Sequence, residues 1–230
     1  GPRLNIYLDS ARVAAWTLPA GCPPVRGVTT NPTLIHQAGI SVTLDSYEAL
    51  VQAVADQGMA ELMLQLPMSE PAEARRWQAR LHTQARRVGV QLTIKLPCHP
   101  DWLAVIHAMR EAAQPVLLTG LSNPVQLLWA HALNAAFVAP YVGRLVADGR
   151  DVWPLMQACV ALQADKGPAL LAASIKSPDV LARLIACGAA AVTLPPESLA
   201  AWAGDALTDT AIAQFARDAA ASQAHPPHTT

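Results

Sequence analysis

The chain has only three lysines, and one of them, Lys95, lies inside an apolar run, LTIKLP, at residues 92–97. Burial in low-dielectric surroundings disfavours an ammonium ion and lowers its pKa. A lysine shifted toward neutrality is a nucleophile that can form a Schiff base with a carbonyl substrate. Lys95 is therefore a candidate catalytic residue. On this residue alone the alternative stays open, a strand-end lysine whose head group reaches solvent or pairs with a carboxylate.

Nearly all of the remaining apolar runs of the sequence also end in polar side chains. They are Asp9, Thr29, Asn31, Gln65, Thr119, Tyr141, Arg144, Ser174 and Lys176. Strand ends are also where polar residues meet solvent, so each of these residues taken singly is weak evidence. As a set they predict one shared site, because the carboxyl ends of the strands of a (β/α)8 barrel converge on the face where such barrels hold their active sites.

The elements that must position these residues are short apolar, β-prone runs, each followed by a longer alanine-rich or amphipathic stretch. The runs cover residues 5–9, 26–29, 61–66, 91–96, 115–119, 136–141, 169–174 and 191–194. They are continuously apolar rather than alternating, which is typical of a parallel sheet covered on both faces. Eight such strands separated by helices predict an α/β fold, a (β/α)8 TIM barrel.

Helix-start signals follow three of the predicted strands. Each combines a capping residue with a proline in the first turn: Asn31-Pro32, Ser122-Asn123-Pro124 and Ser177-Pro178. Longer helical segments are predicted at residues 69–88 and 100–113. We expect these helices to cover the outside of the barrel.

An additional C-terminal helix is predicted at residues 208–222, beyond the eighth strand. Its apolar stripe, formed by Ile212, Phe215, Ala216 and Ala219, needs a surface to cover, which predicts a homo-oligomer. The sequence has no internal linker, so we expect residues 1–223 to form a single domain. Residues 224–230 (AHPPHTT) are predicted to be a disordered tail.

Composition excludes several functional classes. With 52% hydrophobic residues and a net charge of −1 over 230 residues, the chain is predicted to be globular. No apolar stretch has the length of about 18 residues that a spanning helix needs, and no basic face could track a phosphate backbone. We therefore expect neither a membrane nor a nucleic-acid partner.

Four cysteines are spread along the chain without a CxxC pair or zinc-ligand spacing, and no nucleotide-binding glycine motif occurs. They are Cys22, Cys98, Cys159 and Cys187. The expectation is no metal, no cofactor and free thiols in a reducing compartment. Residues 1–3 (GPR) lack the features of a signal peptide, so the predicted location is the cytoplasm.

Five motifs occur in order between about residues 7 and 196. They are LDSA at residues 8–11, GVTTNPTLI at 27–35, IKLP at 94–97, APYVGR at 139–144 and LAASIK at 171–176. Together they resemble the transaldolase family, and its short single-barrel branch containing fructose-6-phosphate aldolase fits best. The resemblance implies a TIM barrel, class I aldolase chemistry without a cofactor, and a sugar or sugar-phosphate substrate.

The resemblance also implies roles for single residues. Lys95 would form the Schiff base, Asp9 would relay a proton during carbon–carbon cleavage, and Asn31 would bind a substrate hydroxyl. Thr29, in the same motif as Asn31, is a further candidate for substrate binding. The substrate phosphate would be received by Arg144, Ser174 and Lys176. Structural alternatives remain: a helix cap for Asp9 near Ser10, an ion pair for Arg144, and a solvated charge for Lys176.

The choice between two reactions depends on Gln65, Thr119 and Tyr141, which resemble the aldolase branch. Transaldolases typically carry Glu and Phe at the positions of Gln65 and Tyr141. A phenol hydroxyl can hold the water that protonates the enamine, so that dihydroxyacetone leaves as a free ketone. The alternative for Tyr141 is a core aromatic residue with a satisfied hydroxyl.

The resulting prediction is an aldolase that cleaves fructose 6-phosphate or a related ketose. The alternatives are a transaldolase and, in another class, a barrel that binds sugar phosphates without turning them over. The family commonly forms rings of five or ten subunits. Two departures from its pattern stand out. Ser122 stands where an aromatic residue is frequent, which alters the pocket wall, and the loop at residues 145–150 is shorter than usual, which is expected to change how the sugar phosphate is covered.

Overall fold

Eight parallel strands, joined in chain order, close into a barrel in the computed structural model, which describes residues 4–20 and 22–224. The strands are β1 (Asn5–Asp9), β2 (Gly27–Thr29), β3 (Glu61–Gln65), β4 (Gln91–Pro97), β5 (Val116–Leu121), β6 (Phe137–Pro140), β7 (Ala169–Ala172) and β8 (Ala191–Leu194). β8 pairs with β1 and completes the ring. The predicted TIM barrel is therefore confirmed.

Helices follow the strands. They are α1 (Pro32–Gln37), α2 (Leu44–Asp56), α3 (Pro71–Val88), α4 (Leu103–Glu111), α5 (Pro124–Ala132), α6 (Val142–Ala147), α7 (Trp153–Ala164), α8 (Pro178–Cys187), α9 (Pro196–Ala203) and α10 (Ala206–Gln223). Short 3-10 turns cover Val13–Trp16 and Pro100–Trp102. The helices predicted at residues 69–88 and 208–222 correspond to α3 and α10. The segment at residues 100–113 divides into a 3-10 turn and α4.

The predicted caps have the expected geometry. The side chains of Asn31 and Ser177 accept hydrogen bonds from backbone amides of the first turns of α1 and α8, and Asn123 forms a capping box with Gln126 in α5. Each cap stands before a proline in the first turn. These sequences therefore fix where the chain leaves a strand end and turns back along the barrel.

The predicted strands at residues 136–141 and 169–174 are longer than the observed β6 and β7. Tyr141 and Ala173 form only an isolated parallel bridge beyond them. Ser174 then adopts a left-handed backbone conformation with φ of 58°, which ends the extended run. The extra residues consequently belong to the loops at the carboxyl ends of the strands.

Inward-facing side chains repeat every second residue along each strand, so they form layers across the barrel. A central apolar cluster consists of Tyr7, Met63, Leu117, Ala139, Leu171 and Ala191, against which Phe137 packs. Two residues further along the same strands lie Asp9, Gln65, Thr119, Tyr141 and Thr193. The apolar layer thus forms the floor beneath a polar layer at the carboxyl end of the barrel.

The chain divides into two compact units, one ending at Pro196 and one beginning at Glu197. The first contains the barrel, and the second contains most of α9 and all of α10. Leu207, Ile212 and Phe215 of α10 are exposed hydrophobic side chains. The expectation of a single domain over residues 1–223 stays a prediction. Of the predicted disordered tail, only Ala224 belongs to the described residues.

Within residues 4–20 and 22–224, no helix combines the length and the apolar character needed to cross a membrane.

Gly27 allows β2 to approach β3 closely. A Cβ atom added at Gly27 would lie 1.9 Å from the backbone oxygen of Glu61, a distance that no real carbon side chain tolerates. Relief would require the two backbones to separate, because the contacted atom belongs to the main chain. Glycine at this position is therefore a condition of barrel closure.

Replacing Gly27 by alanine should destabilise the protein by about 3 kcal/mol or more, through overpacking that only backbone movement can relieve. Urea denaturation followed by circular dichroism measures the change. Gly204→Ala is the matched control, because its added Cβ would meet only the Ala201 oxygen, at 3.8 Å, and should change stability by less than about 0.5 kcal/mol. Equal stability of the two variants would contradict the close-approach argument.

Candidate active site

Lys95 lies in the middle of β4 and is only 4% exposed. Its Nζ donates a 2.7 Å hydrogen bond to the backbone oxygen of Thr30, just beyond β2. Burial lowers the pKa of Lys95 to about 8, although the nearby charge of Asp9 acts in the opposite direction. The head group does not reach solvent, so this part of the structural alternative is wrong. A substantial neutral fraction of the amine exists in mildly alkaline solution.

Asp9 is the last residue of β1 and stands opposite Thr29 in the β1–β2 register. The Thr29 hydroxyl donates a 2.9 Å hydrogen bond to the Asp9 Oδ1 atom. The first helical turn after β1 begins only at Val13, and Arg12 occupies its N-cap position. The alternative role of Asp9 as a cap of a helix starting near Ser10 is therefore wrong.

Thr193 on β8 extends the hydrogen bonding around Asp9, and the sequence interpretation did not include it. Its hydroxyl lies 2.5 Å from that of Thr29, and both residues are almost completely buried. When Thr29 gives its proton to Asp9, the Thr193 hydroxyl supplies the proton between the two threonines, and the same hydroxyl also lies 3.4 Å from the backbone oxygen of Tyr7. Its inward-facing position in the eighth strand, two residues after Ala191, is the signal that could have revealed it.

Thr119 on β5 and Tyr141, directly after β6, are in hydrogen-bond contact through their hydroxyl groups. Burial raises the pKa of Tyr141, and the charge of Asp9 raises it further, whereas the Thr119 hydrogen bond and Arg144 lower it. The phenol therefore remains protonated at neutral pH. It can hold a water molecule or donate a proton.

Gln65 ends β3 and is paired with Lys95 in the β3–β4 register. Its side chain is half-buried, and its backbone oxygen accepts a 3.4 Å hydrogen bond from the Tyr47 hydroxyl. The Tyr47 ring makes an edge-to-face contact with Trp77, with ring centroids 5.2 Å apart. Packing between α2 and α3 thus supports the strand end that carries Gln65.

Ser174, Lys176 and Arg144 meet around Gly143. The Gly143 amide donates a 2.7 Å hydrogen bond to the Ser174 oxygen. A Cβ on Gly143 would lie 2.8 Å from both the Ser174 Oγ and the Lys176 Cγ, so glycine permits this close packing. The neighbouring Arg144 guanidinium carbon lies 5.3 Å from the centroid of the Tyr141 ring. Two cations and a hydroxyl therefore lie beside the polar layer, an arrangement suited to an anionic group.

Asn31 occupies the N-cap position of α1, and its Oδ1 accepts a 2.9 Å hydrogen bond from the Leu34 amide. The cap uses the acceptor atom, so a contact with a substrate would come from the Nδ2 donor. Thr29 is 1% exposed and acts on Asp9. Its position supports the carboxylate more directly than it supports a ligand.

The loop after β5 and the loop after α6 contact each other. Arg150 donates a 3.0 Å hydrogen bond to the Ser122 oxygen and forms a 2.9 Å ion pair with Asp148. Gln126 accepts hydrogen bonds from the backbone amides of Ser122 and Asn123. The loop after α6 is thereby fastened to the loop after β5. Of the loop predicted at residues 145–150, residues 145–147 belong to α6.

Among the described residues, no group of three or more His, Cys, Asp or Glu side chains could hold a metal ion. Cys22, Cys98, Cys159 and Cys187 are free thiols. Burial raises the pKa of Cys98 to about 11 and that of Cys159 to about 12, so neither supplies a thiolate at neutral pH. Burial of Lys95 acts in the opposite sense, because it favours the neutral, nucleophilic form of the amine.

The sequence is similar to known proteins over most of its length. The family described as transaldolase/fructose-6-phosphate aldolase matches residues 6–226. A relative from Dehalococcoides mccartyi, named a probable transaldolase, is 30% identical over 223 residues, which cover 94% of this chain and 97% of the relative.

A solved structure shares the fold. The crystal structure of dihydrodipicolinate synthase from Bacillus clausii superimposes with a TM-score of 0.52 and 12% sequence identity, covering 83% of this chain and 68% of the other. At this identity the likeness concerns the barrel architecture alone.

Replacing Asp9 by asparagine should lower the pKa of Lys95 further below about 8, because the lost negative charge stabilises the ammonium form. Reductive methylation with formaldehyde and cyanoborohydride modifies neutral amines, so its pH dependence, mapped by peptide mass spectrometry, gives the midpoint. The exposed Lys166 is an internal reference whose midpoint should not move. An unchanged or raised Lys95 midpoint in the variant would contradict the electrostatic account.

Proposed function

Because the chain belongs to the transaldolase/fructose-6-phosphate aldolase family, we propose that it is a class I aldolase acting on fructose 6-phosphate or a related ketose. The products are dihydroxyacetone and an aldehyde such as glyceraldehyde 3-phosphate. The observation that carries the proposal is the buried Lys95 amine, which donates a hydrogen bond to the Thr30 oxygen and is influenced by the charge of Asp9. Burial makes it the kind of lysine that forms imines.

In the first step the neutral Lys95 amine attacks the ketose carbonyl carbon. The carbinolamine loses water, and a protonated imine links the substrate to the enzyme. Burial of Lys95 supports this step because it lowers the free energy needed to remove the ammonium proton. The imine in turn accepts electrons from the neighbouring carbon–carbon bond.

Cleavage follows when the Asp9 carboxylate accepts the proton of the substrate hydroxyl two carbons from the imine carbon. The carbon–carbon bond breaks, its electron pair forms the enamine, and the aldehyde leaves. Thr29 and Thr193 support this role because they orient the Asp9 carboxylate through consecutive hydrogen bonds.

The enamine is then protonated at carbon, and hydrolysis releases dihydroxyacetone from Lys95. Tyr141 and Thr119, in contact through their hydroxyls, would hold the water that delivers this proton together with Gln65. The raised pKa of Tyr141 supports the role, because a neutral phenol can donate. The cations Arg144 and Lys176, with Ser174, would bind the substrate phosphate.

A transaldolase is the second candidate, supported by the name of the Dehalococcoides relative. In that reaction the enamine attacks a second aldehyde instead of being protonated. The phenol of Tyr141 favours protonation and release, and it is the reason for preferring the aldolase.

A homo-oligomer is also part of the proposal. The exposed hydrophobic side chains of Leu207, Ile212 and Phe215 support it, and sedimentation velocity would measure the oligomeric state.

Replacing Lys95 by methionine should abolish ketose cleavage while the protein remains folded. The shift of the Lys95 pKa from 10.5 to about 8 corresponds to about 3 kcal/mol by which folding disfavours the ammonium. This penalty is complete below about pH 8 and disappears as pH rises through 10.5, so the variant should equal or exceed the parent in stability at pH 7.

Coupled assays of aldehyde formation and urea denaturation measure the two effects, with the exposed Lys166→Met as control. Cleavage that persists in Lys95→Met would refute the mechanism. A folded parent enzyme that binds sugar phosphates but forms no covalent adduct on Lys95 would favour the binding-only alternative.

Replacing Tyr141 by phenylalanine should reduce release of free dihydroxyacetone by about 100-fold, the lower range for loss of a general acid–base group. Transfer to erythrose 4-phosphate should fall far less, because it needs no proton on the enamine carbon. Assays of free dihydroxyacetone with and without the acceptor give this partition. Tyr47→Phe removes a phenol whose hydroxyl contacts the backbone oxygen of Gln65, at 3.4 Å, rather than its side chain, and should retain the parent partition. A parent enzyme that transfers the three-carbon unit to erythrose 4-phosphate and releases no free dihydroxyacetone would be a transaldolase.

A further inference from the structure

A buried carboxylate lies inside the barrel at the opposite end from Lys95. Glu61 is the first residue of β3 and is 1% exposed. Its Oε1 accepts hydrogen bonds from the Tyr7 hydroxyl at 2.8 Å and from Arg26 Nε at 2.9 Å, and its Oε2 accepts one from the Thr93 hydroxyl at 2.7 Å. We call Glu61 and these three donors the Glu61 clamp.

The clamp joins strands that are not neighbours. Tyr7 is on β1 and Thr93 is on β4, and two strands separate them in the barrel. Main-chain hydrogen bonds connect β1 to β4 through β2 and β3, or by the longer way through β8 to β5, so small errors in each pairing could accumulate. The two oxygens of one carboxylate instead bind both outer strands directly.

The clamp residues and the proposed catalytic residues occupy matching positions. Tyr7 precedes Asp9 by two residues on β1, and Thr93 precedes Lys95 by two residues on β4. Residues two apart on a strand face the same side, about 7 Å from each other. Each hydroxyl held by Glu61 therefore lies one inward-facing position below a residue of the site.

Arg26 brings the remaining strand into the arrangement. It directly precedes β2 and also donates a 3.0 Å hydrogen bond to the Gln91 side chain, at the start of β4. Gly27 permits the close approach of β2 to Glu61. The beginnings of β2, β3 and β4 are thus fixed relative to one another and to β1.

We propose that Glu61 is a positioning residue, which sets the separation of the Asp9 carboxylate and the Lys95 amine by holding Tyr7 and Thr93. Its catalytic consequence rests on the proposed imine chemistry, but the separation itself is measurable without any turnover. Loss of one donor should let β4 or β1 shift and weaken the influence of Asp9 on Lys95.

A shift of β1 or β4 would change the distances between charged and titratable groups at the two ends of the barrel. Asp9 from β1 acts on Lys95 and on Tyr141, and Arg144 acts on Tyr141 at the same end of the barrel. At the clamp, Arg26 is the cation beside Glu61. Burial and the charge of Glu61 raise the pKa of Tyr7, so its phenol remains a donor at every pH of interest.

The test compares Thr93→Val, which removes the donor, with Thr93→Ser, which keeps it. The readout is the pH midpoint of Lys95 reductive methylation, with Lys166 as internal reference. Thr93→Val should lower the Lys95 midpoint by roughly half a pH unit, because the stabilising charge of Asp9 acts from further away. Thr93→Ser should keep the parent midpoint.

A double variant separates positioning from general loosening. In the Asp9→Asn background the charge is absent, so adding Thr93→Val should produce no further downward shift of the Lys95 midpoint. Val105→Ala, which shortens a buried side chain of α4 outside the clamp, controls for destabilisation and should leave the midpoint unchanged.

The proposal is overturned if Thr93→Val lowers the melting temperature but leaves the Lys95 midpoint at the parent value, or if the shift persists undiminished without Asp9. Should Thr93→Val fail to fold, Tyr7→Phe removes the other hydroxyl, and the same outcomes apply to it. Absence of aldolase activity in the parent enzyme would refute the proposed function and leave the methylation result to decide the clamp.

Discussion

The proposed site depends on the free energy of burying one ammonium group, that of Lys95. Lys95 is almost inaccessible, and its transfer out of water disfavours the charged form more strongly than the nearby Asp9 favours it, so the pKa falls to about 8. The Thr30 oxygen accepts one of its protons. These opposing contributions keep the amine within reach of deprotonation near physiological pH. An exposed lysine would remain an ammonium, and one buried without a counter-charge would destabilise the fold.

The layers of the barrel produce this balance. Apolar side chains such as Met63 and Leu117 separate the two polar ends and keep water from reaching Lys95 from below. Hydroxyl groups surround the site at the carboxyl end, where Thr193 and Thr29 act on Asp9. Glu61 and its donors close the other end. The residues at both polar ends therefore face the barrel interior because every second residue of a strand points to the same side.

The sequence was sufficient for the fold because its strands are short, continuously apolar and regularly spaced. It also identified Lys95 as buried, since the neighbours in LTIKLP are apolar on both sides. The left-handed conformation of Ser174, which shortens β7, was not predictable, because serine has no intrinsic preference for it. The roles of Thr193 and Glu61 are not predictable from the sequence, because a threonine within a strand or a glutamate at its start carries no distinctive pattern. Their contacts form only when the closed barrel brings distant strands together. The Thr30 contact uses a backbone atom, on which side-chain type gives no information.

Borohydride trapping tests the central claim most directly. The folded protein is incubated with dihydroxyacetone or fructose 6-phosphate, reduced with borohydride, and analysed by intact mass spectrometry and peptide mapping. A reduced three-carbon adduct on Lys95, with Lys166 and Lys176 unmodified, is the predicted result. An adduct confined to the other two lysines, or no adduct with either ketose, would contradict the assignment of Lys95 as the imine-forming nucleophile.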